Sequence, residues 1–440
     1  MAKVFYGEET KKAVENFRIS GQRVDLELFH SLFQVKLACA RANFAIGRLP
    51  QEIAVAIIQA CEEGIQHRFD DQFVTDAIQG GAGTSINMNS NEVIATRASE
   101  IAGVPVHSLD HVNLGQSTND VIPTALKVTL LRLIPHYLET LKELQGAFEE
   151  KSREFWDVVK VGRTHLQDAV PVRLGQEFKA YATFVARDRA RLTRLLPELR
   201  VTNLGATSIG TAINTTKAYI ENAHNFLSAI LFEEVKPAED LIDATQNLDT
   251  FLEVSSMLKV SAVGLCKIMN DIRLMASGPR AGLHELILPE MQKGSSIMPG
   301  KVNPVIPEVV NQIAFKVIGN DTTATMVMSA GQFELNVMLP VFINDTIQSL
   351  KILTNGVKTL THKAILGLKA DKEQCEKTLE HSLAMATGLN SHIGYDKTAY
   401  LVKKAFTEGK SLRAVLKEEN LLPEETLNEV LEPKTLTEPK

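Results

Sequence analysis

Cysteine, clustered basic charge and long apolar runs are all scarce in this chain, and each scarcity removes a class of explanation. Only four cysteines occur in 440 residues, at Cys39, Cys61, Cys266 and Cys375. They are scattered without CxxC or other ligand spacing, so neither a disulfide framework nor a thiolate-held metal is expected. Buried, reduced thiols in a cytoplasmic protein are the expectation. No stretch approaches the roughly 18 apolar residues of a membrane span, and MAKVFYGEETKKAVENF has no signal-peptide core. The formal net charge is −6 with no basic block, which argues against nucleic-acid and anionic-membrane partners. It leaves room for a small anionic substrate in a locally positive pocket. Neither GxGxxG after a strand nor GxxxxGK[ST] is present, so a nucleotide cofactor has no cradle.

What is there is helix. Hydrophobic residues make up 44% and charged residues 23%, enough apolar side chain for a large core, and the length suggests two or three domains. From Pro123 to about Trp156, apolar residues recur every three or four positions through Leu126, Leu130, Leu133, Ile134, Leu138, Leu141, Leu144 and Phe148. Pro135 is expected to kink that helix without ending it. Further stripes run through Leu174–Leu195, through Thr245 to about Ala276, and onward from Pro304. Helices of about 30 residues would be about 45 Å long. Such lengths favour an extended bundle, and apolar residues on more than one face favour association between copies. Strand signals are weak, with short segments expected at most near the N-terminus or within 200–215.

Four segments carry dense polar side chains: GGAGTSINMNSNE from Gly80, HVNLGQSTND from His111, GRTHLQDAVP from Gly162 and GSSIMPGKVNPVIPE from Gly294. Small residues let backbone amides approach a ligand, hydroxyls and amides give directional hydrogen bonds, and Lys or Arg neutralises a carboxylate. Taken singly each has a plain structural reading. Ser117, Thr118 and Asn119 suit a helix cap, and Pro299, Gly300 and Pro304 suit turns. Four together suit a dicarboxylate.

The fourth segment closely resembles GSSxMPxKxNPxxxE, the signature loop of the fumarase/aspartase superfamily. The other three resemble the family's remaining blocks in the same order, so the likeness spans about Tyr6 to Leu431. Within the family, QSTND at Gln116–Asp120, PVIPEVVNQ, IGNDTT and PAEDLIDATQN are similar to the aspartase branch. The resemblance implies an all-α, three-domain fold. Its parts would be an N-terminal domain over 1–117, a central five-helix bundle over 118–372 and a small C-terminal domain over 373–440. It also implies a homotetramer with a twenty-helix core and active sites shared by three subunits. The implied activity is elimination of ammonia from L-aspartate to give fumarate, without metal or organic cofactor.

By the same resemblance Ser295 is the base that takes the Cβ proton. Thr84, Ser117, Thr118 and Ser296 would hold the β-carboxylate, and Thr164, Lys301 and Asn303 the α-carboxylate. Asn119 and His165 would contact the departing amine, with Glu308 orienting His165. Gly294 and Gly300 suggest a lid that closes on substrate. The chain departs from the family pattern at its shortened start, where Tyr6-Gly7 comes almost at once, and at Leu339, Ser391 and Ala212. Leu339 bears on substrate preference. Because aspartases and fumarases share nearly all their catalytic apparatus, a fumarase remains the alternative within enzymes, and a catalytically silent homologue the alternative outside them.

Overall fold

The computed structural model describes residues 3–438 and is mainly helical. Each sequence stripe becomes a long helix: Thr118–Glu154, Leu174–Thr193, Asp249–Met275 and Val305–Ser329, followed by Leu339–Leu360. The helix Thr118–Glu154 has 37 residues and runs through both Pro123 and Pro135, giving it a length of about 55 Å at 1.5 Å per residue. Its stripe is buried at Leu126, Leu130, Ile134, Leu141, Leu144 and Phe148, whereas Pro135 lies on the exposed face. Shorter helices show the usual end chemistry. Asp25 caps Leu26–Ala45 by accepting from Glu27 N at 3.0 Å, and Gly103 ends Thr84–Ala102 in the left-handed region.

The chain divides into two compact units. The first comprises Met1–Leu138, Ala190–Ala262 and Ala314–Thr354, and the second Glu139–Arg189, Val263–Ile313 and Asn355–Lys440. In the first, Leu26–Ala45 packs on Gln51–Ile65 and on Lys217–Leu231. Gly64 permits the first of these contacts, since a Cβ there would lie 2.4 Å from the Phe33 ring. In the second unit, Phe148, Phe155, Phe178 and Tyr181 form one aromatic cluster with ring centroids 5.3–6.1 Å apart.

Strand structure among the described residues is confined to three two-stranded pairs. Two are two-residue ladders, one of them Val201–Thr202 with Lys236–Pro237, within the window where a strand was expected. The third corrects the sequence reading. Val159–Thr164 and Gln167–Arg173 pair as an antiparallel hairpin, where no strand was expected. Val158, Val159, Val161, Val170 and Val172 are the β-branched residues that carried the signal. Val159 and Val161 pack into a C-terminal cluster with Leu389, Leu401, Val415 and Leu416, which anchors the base of the hairpin.

Among the described residues no helix is long and apolar enough to cross a membrane. All four cysteines are free, and three of them are buried.

Candidate active site

Within the first unit, two helix N-termini border one cleft. Thr84 opens Thr84–Ala102 after Gly83 at φ +98°, and no side chain caps that end, which leaves amide N–H groups for an anion. Ser117 precedes Thr118–Glu154. Its Oγ accepts from Asn119 N at 3.2 Å, while Asp120 Oδ1 accepts from Ser117 N at 2.9 Å. This is a reciprocal capping box, so the plain structural reading of Ser117 and a ligand role coexist. Thr84, Ser117 and Thr118 line a cleft of about 960 Å³ together with Arg48, Asn87 and Ser208. Asn119 spends its side-chain N–H and its backbone carbonyl on the neighbouring loops. Its Nδ2 donates to Ser208 O at 2.7 Å and its carbonyl accepts from Asn203 at 3.0 Å.

Two buried charges that the sequence reading passed over hold this cleft in shape. Lys36, fully buried, donates to Asn113 Oδ1 at 3.0 Å and to Gln116 Oε1 at 2.9 Å. Burial pushes its ammonium down to about 8. Gln116 therefore anchors the loop on a buried cation. Asp120, also fully buried, has Oδ2 accepting from Gly205 N at 3.1 Å and Thr207 N at 3.0 Å. It thereby ties the Ser117 turn to the 205–208 loop. Burial pushes its carboxyl up to about 6 against the pull of those amides. A lone lysine inside FQVKLACA was the available signal for Lys36.

The second unit presents two further groups. Thr164 and Gln167 pair across a two-residue turn, and His165 and Leu166 both sit at positive φ, +56° and +59°. Two left-handed residues make the type I′ geometry that hairpins prefer, normally with Asn or Gly. His and Leu there are strained by about 1–3 kcal/mol each, and His165 is displayed, exposed, at the tip. Gly162 permits the bulge below it, because a Cβ would fall 2.5 Å from Val170 O. Beneath the tip, Glu285 is fully buried. Arg163 donates to its Oε1 at 2.7 Å, and Lys160 Nζ lies 3.1 Å from its Oε2 while hydrogen-bonding Glu177 at 3.1 Å.

The signature segment forms a loop closed at its base. Gly294 N donates to Lys301 O at 2.9 Å, and Asn303 Nδ2 donates to Gly294 O at 2.7 Å. A Cβ on Gly294 would stand 2.2 Å from Lys301 O, so only glycine permits this closure. Ser295 Oγ accepts two backbone amides, from Ile297 at 3.2 Å and Met298 at 3.1 Å. Such donors favour the charged form of the oxygen they face. Ser296 and Lys301 are exposed on the same loop. Glu308 lies in the first turn of Val305–Ser329 with its carboxylate 3.9 Å from Arg273. Among the described residues, no hydrogen bond within the chain joins Glu308 to His165.

The departures have local structure too. Ala212 sits at φ +56°, where the expected glycine would be unstrained. Leu339 is buried at the start of Leu339–Leu360, and Ser391 Oγ donates to Gly388 O at 3.3 Å.

A family model described as Lyase matches residues 1–319, and one described as Fumarase C C-terminus matches residues 385–438. An aspartate ammonia-lyase from a Bacillus species is 48% identical over 99% of this chain and 94% of its own length. Another, from Bacillus subtilis, is 45% identical over 100% and 94%. The crystal structure of fumarate lyase:delta crystallin from Brucella melitensis aligns with a TM-score of 0.96 at 43% identity, covering 99% of this chain and 96% of that one.

Proposed function

The chain belongs to the fumarase/aspartase superfamily of lyases, and from that membership we propose that it eliminates ammonia from L-aspartate to give fumarate. What carries the reading is that relatives named aspartate ammonia-lyase align with it from end to end. The four polar blocks that resemble the family's are all present in this sequence.

In the proposed reaction Ser295 Oγ, as alkoxide, takes the Cβ proton. The electron pair moves onto the β-carboxylate, which becomes an aci-carboxylate dianion. It then returns to form the Cα–Cβ double bond as the C–N bond breaks anti to the removed proton. Thr84, Ser117, Thr118 and Ser296 hold the β-carboxylate where this charge develops. The uncapped helix end at Thr84 and the buried ammonium of Lys36 give the first three of these a positive setting. Thr164, Lys301 and Asn303 hold the α-carboxylate. Asn119 and His165 attend the departing amine, with Glu308 orienting His165. No step calls for a metal or organic cofactor.

The working form we propose is a cytoplasmic homotetramer, its central segment 118–372 contributing to a twenty-helix core and its active sites drawing on three subunits. Phe315 and Met326 on the long helix Val305–Ser329 are 61% and 68% exposed, an apolar face suited to another copy. Incubating the purified protein in parallel with L-aspartate, L-malate and argininosuccinate, and following fumarate absorbance, tests the assignment. Fumarate from aspartate alone supports it. Fumarate from malate alone makes the chain a fumarase, and none from any substrate makes it a silent homologue.

A further inference from the structure

We propose that His30, His67 and Asp70 form a binding site for one divalent transition-metal ion of the zinc class, using none of the residues assigned to the elimination. All three lie in the first compact unit. His30 projects from the helix Leu26–Ala45 and is only 5% exposed. His67 follows the end of the helix Gln51–Ile65, and Asp70 opens the short turn Asp70–Gln72.

The three side chains converge on one point. His30 Nε2 lies 2.9 Å from Asp70 Oδ1, and His67 Nδ1 lies 3.3 Å from Asp70 Oδ2. The two imidazoles meet edge to face with centroids 4.0 Å apart. One ligand atom from each residue falls within 4.8 Å of the other two. A tetrahedral ion with bonds of about 2.0–2.1 Å sets its ligand atoms about 3.3 Å apart. The His30 and His67 contacts at 2.9 and 3.3 Å fall on different Asp70 oxygens, and the ligand atoms as a set lie within 4.8 Å, so closing on an ion draws the widest pair together by up to about 1.5 Å.

Two nitrogens and one carboxylate oxygen form a donor set that suits zinc and cobalt and suits the oxygen-seeking magnesium poorly. Three protein ligands leave a fourth position for water, and exposure of His67 provides the way in. Two features point to a ligand and away from a plain hydrogen-bonded pair. His30 is buried with its Nε2 aimed into the cluster, so the cluster is its polar attachment. His67 sits at φ +65°, a helix-end position that glycine fills most easily. A histidine there carries backbone strain and brings a second imidazole onto a carboxylate that already has one.

The test uses untagged, full-length protein stripped of metal with a chelator and then dialysed. Zn2+ is titrated calorimetrically, Co2+ is followed by its visible absorption, and Mg2+ serves as competitor. We expect one Zn2+ or Co2+ per chain, a cobalt spectrum of low coordination number, and no competition from Mg2+. His67→Ala and Asp70→Asn are each expected to weaken binding at least about 10–100-fold, the range that loss of a supporting partner alone produces. His67 is exposed, so its variant should keep the parent circular dichroism. Zinc uptake equal in the parent and both variants would overturn the proposal, as would a parent that binds no zinc. Binding is read without substrate, so this result is independent of the assigned reaction.

Discussion

Replacing Glu285 by Gln removes a single charge from a buried cluster, and the structure sets the size of the effect. Glu285 has 0% side-chain exposure, Lys160 3% and Arg163 15%, so solvent screens these charges little. Removing one partner of a buried pair costs about 3–5 kcal/mol, because the other charge is left uncompensated. Lys160 keeps its hydrogen bond to Glu177, which argues for the lower end, about 3 kcal/mol. At roughly 2 °C per kcal/mol for a large chain, the unfolding midpoint should fall by about 6 °C. Thermal circular dichroism measures this. Lys160→Met supplies the decisive comparison. It should destabilise the parent chain, but should do less harm in the Glu285→Gln background, where Lys160 has already lost one of its two carboxylate partners. Additive effects in that cycle, or a midpoint within about 2 °C of the parent in Glu285→Gln, would refute the reasoning. Because Arg163 adjoins Thr164 and His165, kcat/KM for aspartate should fall in Glu285→Gln even at temperatures where the variant is fully folded.

Ser295→Ala should abolish turnover while leaving aspartate binding nearly intact, measured by calorimetry; near-normal turnover would remove serine from the role of base. Gly294→Ala forces the loop base open by placing a Cβ 2.2 Å from Lys301 O. A displacement near 1 Å at reacting groups costs on the order of 100-fold, so steady-state kinetics should show kcat falling about that far. Asp120, pushed up to about 6 by burial, takes a proton as pH falls through that value and then accepts its amides poorly. The log of kcat/KM should therefore drop below about pH 6, and the same limb persisting in Asp120→Asn would exclude Asp120. The stability sign runs oppositely. A raised carboxyl pKa penalises the folded state above about 6, and that penalty disappears as pH falls toward the unfolded value near 3.9.

Helices were legible in the sequence because their period is written along tens of residues. The run from Leu126 to Phe148 repeats its spacing over six turns, and tertiary context had little to override. The hairpin was not legible, since Val159–Thr164 and Gln167–Arg173 are short and their alternation is broken by the bulge at Gly162. The polar blocks stood out by composition, and the Ser117 helix end fell where capping chemistry put it. Lys36 and Asp120 escaped for a physical reason. Their significance lies in burial and in partners up to 87 residues away, and neither property is visible in local spacing.

Ser295 and Asp120 use the same physics from opposite sides. Each oxygen is surrounded by backbone N–H groups, two at Ser295 Oγ and three across the Asp120 carboxylate. Amide donors favour the charged form of whatever oxygen they face, and burial opposes it. Asp120 is fully buried, so desolvation prevails and its carboxyl is raised despite three donors. Ser295 lies on a partly exposed loop with fewer donors and a far weaker intrinsic acid. Two amides alone cannot bring its proton within reach of neutral pH. The remaining stabilisation has to come from a full positive charge, and Lys301, exposed on the same loop, is the candidate. Lys301→Met should therefore lower kcat beyond the loss of α-carboxylate binding and move the basic requirement for activity to higher pH. A variant whose KM rises while kcat and its pH profile stay at parental values would assign Lys301 to binding alone.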